Sequence, residues 1–483
     1  PFIWNYLNDP ERFETELTYE FSKLKNEATE GYTEAEVWPA TYWPTYKDNI
    51  NNRWQGEDTL SPAEKYDKAF NDWKPEGGFD QFMNLQPFDT DSCNWDDSYY
   101  EKLGPAARAE SKDGNWVAHN GEDDDGDGIS DKNECGYGED KDYDGVETWW
   151  GLCHAWVPAT ILEEEPEEPV TVDSPSGEVT FQVSDIKALL IEKFDLSESY
   201  MVGGRCNSSE VERDETTGRV NDDRCRDVNA GSFHVLITNF LGLQGRPIAE
   251  DRVYDYEVWN QPIIGYKIKK QEKLSLDEVQ SLLNTDDDRD ENSTPETAEE
   301  EQQVLRAAND LTRSELENDA GLRPENAQAI NDYRNENGSF EQISTLESEV
   351  GSRGLSRLLD YAYQQNWLED ENEIYSYNEN AESFVEVEMS VDYVTESHPS
   401  TEPLADRVGE YTRTDEYNYI LELDSQGKII GGEWVGRSRE KHPDFLWLPT
   451  GAGGGNRPVD LAKVRDLLAK STGSDDSDGA GDS

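Results

Sequence analysis

An excess of negative charge constrains this chain more than any other feature. The 483 residues include 107 Asp and Glu but only 43 Lys and Arg, so the formal net charge is −64 at pH 7. Nucleic acids are bound through patches of Lys and Arg, and this balance therefore argues against a nucleic-acid partner. Because such a charge repels itself at low ionic strength, a saline or divalent-rich medium is expected.

The chain does not have the composition of a disordered protein, despite its acidity. Disordered chains lack aromatic residues, whereas this one contains 14 Trp, 23 Tyr and 14 Phe. No apolar run approaches the roughly 18–20 residues that a membrane-spanning helix needs, so we expect no membrane span. The length predicts about two to four domains.

Shifts in composition divide the chain into segments. Residues 1–36 have spaced aromatic residues, which predict a helical arm that we interpret as a candidate pro-segment remnant. Residues 284–302 are almost free of apolar residues, which predicts a flexible acidic linker. The main domain comprises residues 37–283 and 369–450. A small helical insert covers residues 303–368, and a flexible acidic tail covers residues 451–483.

Local patterns in the main domain predict a mixed α+β fold with an antiparallel sheet. Ser61, Pro62 and Glu64 have the spacing of a capping box, which predicts that a helix begins there. The apolar run 232–243 predicts a buried strand, and residues 258–268 predict a strand or hairpin arm. Alternation of apolar and polar residues predicts further strands after residue 371, with a turn at Ser425–Gly427.

The sequence WWGLCHAWVPA at 149–159 contains the candidate nucleophile, Cys153. A thiol attacks only as the thiolate, and the dipole and free N–H groups of a helix N-terminus favour that anion. Gly151 followed by an apolar stretch predicts a loop-to-helix junction that presents Cys153 at the start of a helix, where its N–H contributes to an oxyanion hole. A buried structural cysteine in an aromatic core is the alternative.

A thiolate nucleophile needs a base, and we predict His234 for this role. It opens the strand-like run GSFHVLITNF after a glycine, although a core histidine is the alternative. The sequence argues against His154, because neighbouring side chains on a helix point roughly 100° apart. Asp255 is the predicted residue that orients the imidazole, with Asp251 and Asn260 as alternatives.

An acidic loop carries the pattern D-x-D-x-D-G-x5-E, and a shorter acidic run follows it. Ca²⁺ takes six to eight oxygen ligands, and the glycine permits the sharp turn within such a loop. The pattern therefore predicts Ca²⁺ as cofactor, with a solvated acidic loop as the alternative. The candidate metal ligands are Asp123, Asp125, Asp127, Ile129, Asp131, Glu134, Asp140, Asp142, Asp144 and Glu147.

The five cysteines suggest two disulfides and one free thiol. Cys206 and Cys225 flank a short polar loop and are the predicted first pair, and Cys93 with Cys135 is the second. This assignment leaves Cys153 free. The alternative is that all five cysteines are reduced and buried.

The insert at 303–368 has the layout of a tandem helix-hairpin-helix module. Its first hairpin, Gly321–Pro324, lacks the usual second glycine, and its surroundings are strongly acidic. We therefore predict a packing or protein-interaction module rather than a module that binds DNA.

Several blocks together resemble one protein family. The run VWNQPIIGYKI at 258–268 is similar to the surface peptide of the transglutaminase elicitor family, the secreted calcium-dependent transglutaminases of oomycetes with bacterial relatives. Further similar blocks are WPATYWPTYKDNINNRW (38–54), SPAEKYDKAF (61–70), WWGLCHAW (149–156), GSFHVLITN (231–239) and GGEWVGRSREKHPDFLWLP (431–449).

The resemblance implies a papain-like thiol-enzyme core, with Cys153 as the nucleophile of an acyltransferase that forms glutamine–lysine isopeptide crosslinks. The partners would then be proteins that bear glutamine, and lysine or other primary amines. Trp149, Trp150, Trp156 and Trp259 are candidates to wall the site and exclude water, or are simply core residues.

Two other functions compete with crosslinking. The same thiol site suits a cysteine peptidase or a protein glutamine deamidase, and the acidic loops alone suit a non-catalytic calcium-dependent binding or adhesion protein. The resemblance also implies a secreted, extracellular protein. Because the chain begins at Pro1 without a signal peptide, we expect a mature or trimmed form.

Overall fold

Helices pack on both faces of one antiparallel sheet in the computed structural model, which confirms the α+β class. The structure describes residues 4–14, 16–87, 96–114, 149–205, 225–252, 257–283, 298–318, 320–364, 380–439, 441–453 and 458–474, and the single residues 295, 367 and 378.

Eight of the described strands form one sheet, in the order β4-β10-β5-β6-β7-β8-β9 with β1 paired to β6, and β2 and β3 form a separate hairpin. The strands are β1 (Glu30–Tyr32), β2 (Val170–Val172), β3 (Val179–Phe181), β4 (Glu198–Gly203), β5 (Ile248–Asp251), β6 (Asn260–Leu274), β7 (Ser383–Val394), β8 (Thr412–Leu423), β9 (Ile429–Trp434) and β10 (Phe445–Gly451).

The α-helices lie mainly in the first half of the chain and in the insert. They are α1 (Phe21–Glu27), α2 (Pro62–Phe70), α3 (Phe79–Phe82), α4 (Asp97–Glu101), α5 (Pro105–Gly114), α6 (Cys153–Leu162), α7 (Val183–Phe194), α8 (Ala230–Ile237), α9 (Leu276–Leu283), α10 (Ala298–Asp310), α11 (Arg313–Asn318), α12 (Pro324–Asn337), α13 (Ile343–Gln364), α14 (Val408–Tyr411) and α15 (Leu461–Thr472).

The two faces of the sheet bury different apolar cores. Side chains alternate between the faces of a strand, and along β10 Phe445 and Trp447 join the core that surrounds α6 and α7. Leu446 and Leu448 point to the other face and join the core that contains α8. The sheet therefore separates α6 from α8.

The predicted capping box and the later strands are confirmed. Ser61 accepts a hydrogen bond from the N–H of Glu64, whose carboxylate accepts one from the N–H of Ser61. Of the predicted run 258–268, residues 260–268 form the first part of β6, which pairs with β7. β8 and β9 are joined through the predicted turn, where Gly427 has a φ of 76°, a conformation that glycine adopts without strain.

The strand predicted over residues 232–243 is wrong, because this run forms α8 followed by a π-helical turn over Thr238–Leu243. Asn229 caps the helix by accepting a hydrogen bond from the N–H of Gly231 at 2.9 Å. A fully buried helix is apolar on all sides, so its sequence has the same continuous apolar run as a buried strand.

The helical arm predicted over residues 1–36 is only partly correct within the described residues. Short 3-10 turns come first, and α1 and β1 follow them. Phe13, Phe21 and Leu24 are buried in the core beside α8. The Asn8 side chain accepts a hydrogen bond from the N–H of Asn229. This segment is thus packed into the main domain.

The insert lies in the connection between β6 and β7, since Leu274 at the end of β6 pairs with Phe384 at the start of β7. Helices α10 to α13 surround a separate apolar core, which includes Val304, Ile330 and Leu358. None of the described helices is both long and apolar enough to cross a bilayer.

Candidate active site

Cys153 is the first residue of α6, as the sequence predicts, and is a free thiol with 4% of its surface exposed. The first N–H groups of a helix have no partner within the helix, and they lie beside the sulfur. This position favours negative charge on the sulfur and on an oxyanion formed next to it.

Gly151 allows the chain to pass close to Tyr42 just before the helix. The N–H of Leu152 donates to the carbonyl oxygen of Tyr42 at 2.5 Å. A Cβ on Gly151 would lie 2.5 Å from Cδ2 and 2.6 Å from the carbonyl oxygen of Tyr42. The junction therefore requires glycine at this position, and it sets the start of α6.

The start of β6 presents a polar side chain to the thiol. Asp251 on β5 lies directly opposite Asn260 on β6. The Asn260 side-chain amide donates to the Cys153 sulfur, with a distance of 3.6 Å between Nδ2 and Sγ. The thiol itself donates to the carbonyl oxygen of Val258 at 3.5 Å. The sulfur is thus held between α6 and the start of β6.

His154 and Asp195 form a second polar pair at the thiol. Nε2 of His154 donates to Oδ1 of Asp195 at 2.7 Å, and 45% of the His154 side chain is exposed. Partial burial disfavours the charged ring. Hydrogen bonds to Asp195 and to the Cys153 side chain outweigh it, and they raise the pKa of His154 to about 10. The Asp195 carboxylate therefore favours the charged form of the ring, which is the form that can pair with a thiolate.

The structure does not bring His234 to Cys153. His234 lies in α8, on the opposite face of the sheet from α6, and is completely buried. Its Nδ1 lies 2.7 Å from the hydroxyl of Tyr419, and burial lowers its pKa to about 3. His234 is thus a neutral core histidine, which is the alternative that the sequence left open.

Several predicted residues lie outside the described residues. These include Asp255, all the candidate calcium ligands between Asp123 and Glu147, and the predicted disulfide partners Cys93, Cys135 and Cys206, so these assignments stay predictions. Within the described part, no group of three or more His, Cys, Asp or Glu is placed to hold a metal ion.

The tryptophans near the thiol divide into two groups. Trp156 is completely buried in the core, and its indole N–H donates to the carbonyl oxygen of Trp38 at 3.1 Å. Trp259 is half-buried and contacts Tyr42 edge to face, with 5.6 Å between ring centroids. Trp156 is therefore a core residue, whereas Trp259 and Tyr42 are half-buried and pack against each other.

Sequence reasoning missed the pairing of His154 with Asp195. The angle between neighbouring residues on a helix excluded His154, but in the structure Asp195 and the Cys153 side chain both raise the pKa of its imidazole against the effect of burial. Asp195 follows the last residue of α7, which packs against α6, so only the helix packing brings this carboxylate to the site. Asn260 was among the sequence candidates, in a different role.

Comparisons with known proteins agree with one another. A family model described as transglutaminase elicitor matches residues 8–83, 98–289 and 361–472. A crystal structure of the GP42 transglutaminase from Phytophthora sojae is similar, with 25% sequence identity, a TM-score of 0.54 and 96% of each chain covered. No curated protein sequence matches this chain. Residues 290–360, which contain most of α10 to α13, lie outside the family match.

Proposed function

Because the chain belongs to the transglutaminase elicitor family, we propose that it is a protein-glutamine γ-glutamyltransferase with Cys153 as its nucleophile. The observation that carries this proposal is a free thiol at a helix N-terminus, with Asn260 on one side and the His154–Asp195 pair on the other. A buried structural cysteine has no need of a charged histidine beside it.

The first half of the proposed reaction is acylation of the thiol. The thiolate of Cys153 attacks the side-chain amide carbon of a substrate glutamine, and a C–S bond forms. The N–H groups at the start of α6 and the Asn260 amide are placed to stabilise the oxyanion. Protonated His154 gives its proton to the leaving nitrogen, so ammonia departs and a thioester remains.

The second half transfers the acyl group to an amine. A neutral primary amine attacks the thioester carbonyl, and His154 accepts the proton that the nitrogen loses. The C–S bond breaks, and the thiolate–imidazolium pair is restored. Asp195 orients the ring and stabilises its charged form throughout. Water in place of the amine would give glutamine deamidation.

We also propose that the core is related to papain-type enzymes. A helix that begins with the cysteine packs on an antiparallel sheet, and the sheet presents its polar partners. The proposed histidine differs from that of papain-type enzymes, because His154 directly follows the cysteine in the sequence.

Calcium dependence and secretion are parts of the same proposal. The spacing of acidic residues between Asp123 and Glu147 supports a calcium site close in sequence to Cys153. Binding there would hold the acidic segment in a position that supports the start of α6. Chelation of Ca²⁺ should then lower both the melting temperature and the activity, and an unchanged melting curve in EGTA would count against the site.

For the insert we propose a helix-hairpin-helix-like protein-interaction module. Gly321 and Gly351 have positive φ angles of 65° and 70°, and each lies between two helical segments, as the hairpins of such a module require. A titration with duplex DNA at moderate salt should show no binding.

Incubation with a glutamine-containing peptide and a fluorescent primary amine tests the proposed activity. The wild-type protein should attach the amine and release ammonia, and Cys153→Ala should do neither. Ammonia release without amine incorporation would indicate a deamidase, and backbone cleavage would indicate a peptidase. Activity that survives Cys153→Ala would exclude the thiol mechanism altogether.

A further inference from the structure

Two neighbouring pairs of residues join β5 to β6 beside the candidate nucleophile. Asp251 lies opposite Asn260, and Glu250 lies opposite Gln261. Consecutive side chains point to opposite faces of a strand, and Asn260 extends to the sulfur on the α6 face. Glu250 and Gln261 therefore point to the other face, where Leu446, opposite Glu250 on β10, joins the core that contains α8.

Glu250 is a buried carboxyl group without a hydrogen-bond donor. None of its surface is exposed, and neither of its side-chain oxygens has a hydrogen-bond partner among the described residues. An ionised carboxyl group only accepts hydrogen bonds, and it is costly to bury without donors or a cation of its own. Burial and, after it, Asp415 raise the pKa of Glu250 well above its ordinary value, whereas Arg252 acts in the opposite direction.

The groups around this carboxyl leave it without a cation of its own. The charged and titratable ones are Asp251 and Arg252 on β5, Tyr393 on β7, and Asp415 and Tyr417 on β8. Helix α8 contributes the apolar ring of Phe233, whose centroid lies 5.2 Å from that of Tyr417. Arg252 is the one cation in this set, and its Nη1 lies 3.6 Å from Oδ2 of Asp415. The positive charge is thus shared with a second carboxylate.

Gln261 provides an acceptor that lacks a donor. Its Nε2 donates to Oε1 of Glu396 at 2.7 Å, which sets the orientation of the amide and leaves the Gln261 oxygen without a partner among the described residues. Only 2% of Gln261 is exposed. Directly opposite residues on adjacent strands have their Cβ atoms about 4.5–5.5 Å apart, and both side chains point to the α8 face. One proton on Glu250 therefore serves both buried groups, because the carboxylic acid can donate to the Gln261 oxygen.

We propose that Glu250 is a neutral carboxylic acid at pH 7 that donates to the side-chain oxygen of Gln261, and that this bond positions Asn260. The inference rests on the proposed function, to which it adds a positioning residue on the far face of the sheet. The pair lies one residue along each strand from Asp251 and Asn260, so the bond joins β5 to β6 next to the amide that reaches the sulfur. An ionised Glu250 would instead face the Gln261 oxygen as a second acceptor, and their repulsion would displace the strands there.

Infrared difference spectra of wild type and Glu250→Gln at pH 7 test the protonation state. The wild-type spectrum less that of the variant should contain the carbonyl stretch of a neutral carboxylic acid, which an ionised carboxylate lacks. Glu402→Gln, at an exposed position, is the matched control and should remove carboxylate bands instead. A carboxylate signal from Glu250 at pH 7 would overturn the inference, whatever the activity of the protein.

Denaturant unfolding gives a second test of the same proton. In the unfolded chain the carboxyl group has its ordinary pKa of about 4.3, so above that pH the unfolded state releases a proton that the folded state retains. Relative to Glu250→Gln, the folding equilibrium constant of the wild type should therefore fall by about tenfold per pH unit between pH 5 and pH 7. Other titrating groups cancel in this comparison. The same pH dependence in both proteins would overturn the inference.

The positioning role is tested by kinetics of amine incorporation. Glu250→Gln keeps a neutral donor and should retain kcat within about twofold. Glu250→Leu removes the donor, and its kcat should fall by about 10-fold to 100-fold, the range for a slightly misplaced catalytic group, with little change in KM for the peptide. In an Asn260→Ala protein the same substitution should cause no further loss, because it acts through Asn260.

An undiminished kcat in Glu250→Leu, or an equal loss with and without Asn260, would overturn the positioning role while leaving the proposed function intact. Should Glu250→Leu fail to fold, Gln261→Met removes the acceptor of the same bond and carries the same expectation. If the wild-type protein incorporates no amine, the proposed function itself fails, and the infrared and unfolding results still decide whether Glu250 is neutral.

Discussion

Asp251 and Asn260 lie directly opposite each other on β5 and β6, and Asn260 extends from this pair to the sulfur of Cys153. Oδ1 of Asp251 accepts a hydrogen bond from the N–H of Trp259 at 2.9 Å, which ties down the residue before Asn260. Directly opposite residues on adjacent strands have their Cβ atoms about 4.5–5.5 Å apart. The pairing of β5 with β6 therefore sets the position of the Asn260 amide. Fixed donors are what stabilisation of an oxyanion requires.

Asn260→Ala should lower kcat by about 10²-fold to 10³-fold, the usual cost of removing one donor to an oxyanion. KM for the glutamine peptide should change little, because the donor acts mainly in the transition state. Steady-state kinetics of amine incorporation measure both values. Asn380→Ala, in an exposed turn, is the control and should behave as wild type. An Asn260→Ala protein with full kcat would remove Asn260 from the mechanism.

Asp195→Asn should move the alkaline limb of the kcat/KM profile to lower pH. The Asp195 carboxylate raises the pKa of His154, which is about 10 in the wild-type protein, and partial burial acts in the opposite direction. Without the carboxylate, the ring loses its proton at lower pH, and the imidazolium needed for ammonia release is lost earlier. Rates between pH 6 and 11 measure this limb. If both proteins have the same limb, His154 is not the acid.

His234→Gln should keep most of the activity at pH 7 but change the pH dependence of stability. The wild-type pKa of His234 is about 3, below the ordinary value of about 6.5. Stability from the neutral ring is therefore complete above pH 6.5 and is lost as the pH falls towards 3. At pH 5 the loss is about 2 kcal/mol relative to pH 7.

Denaturant unfolding of wild type and His234→Gln at pH 7 and pH 5 measures this difference. Glutamine retains a polar partner for the Tyr419 hydroxyl and does not titrate, so the variant should lose less stability on acidification. A drop in kcat of more than about 100-fold in a folded His234→Gln protein would instead support a catalytic role for His234.

Gly151→Ala should impair activity because it displaces the start of α6. The added Cβ would meet both the ring and the backbone of Tyr42, and such overpacking costs about 1–3 kcal/mol. Because the displaced junction carries Cys153, kcat should fall as well as the melting temperature. In Gly409→Ala the new Cβ meets no atom within 4 Å, so this control should match wild type. Equal behaviour of the two variants would contradict the close-approach argument.

The sequence predicted the parts of the fold that depend on local patterns. The cap at Ser61, the turn before Gly427 and the helix start at Cys153 follow from residue types at short spacing. The prediction of a strand over residues 232–243 failed because a helix and a strand that are buried on all sides have the same continuous apolar composition. The choice between them comes from packing against the sheet.

The candidate site was predictable only in part, for a similar reason. Cys153 was identifiable from its loop-to-helix context and from the family resemblance. The partners of Cys153 depend on which face of the sheet each element covers. The opposite face carries α8, so His234 lies beyond reach of the thiol, whereas the packing of α7 on α6 brings Asp195 to His154. No spacing along the chain encodes a contact between the end of α7 and the start of α6.

The central claim is that Cys153 forms a thioester with a substrate glutamine. Incubation of the protein with a glutamine-containing peptide, without any amine, followed by rapid acid quench and intact mass spectrometry, tests it most directly. We predict a mass increase equal to the peptide less one ammonia, located on the tryptic peptide that contains Cys153 and removed by hydroxylamine. An adduct on another residue, or turnover without any adduct under these conditions in a protein whose Cys153 remains alkylatable, would contradict the account.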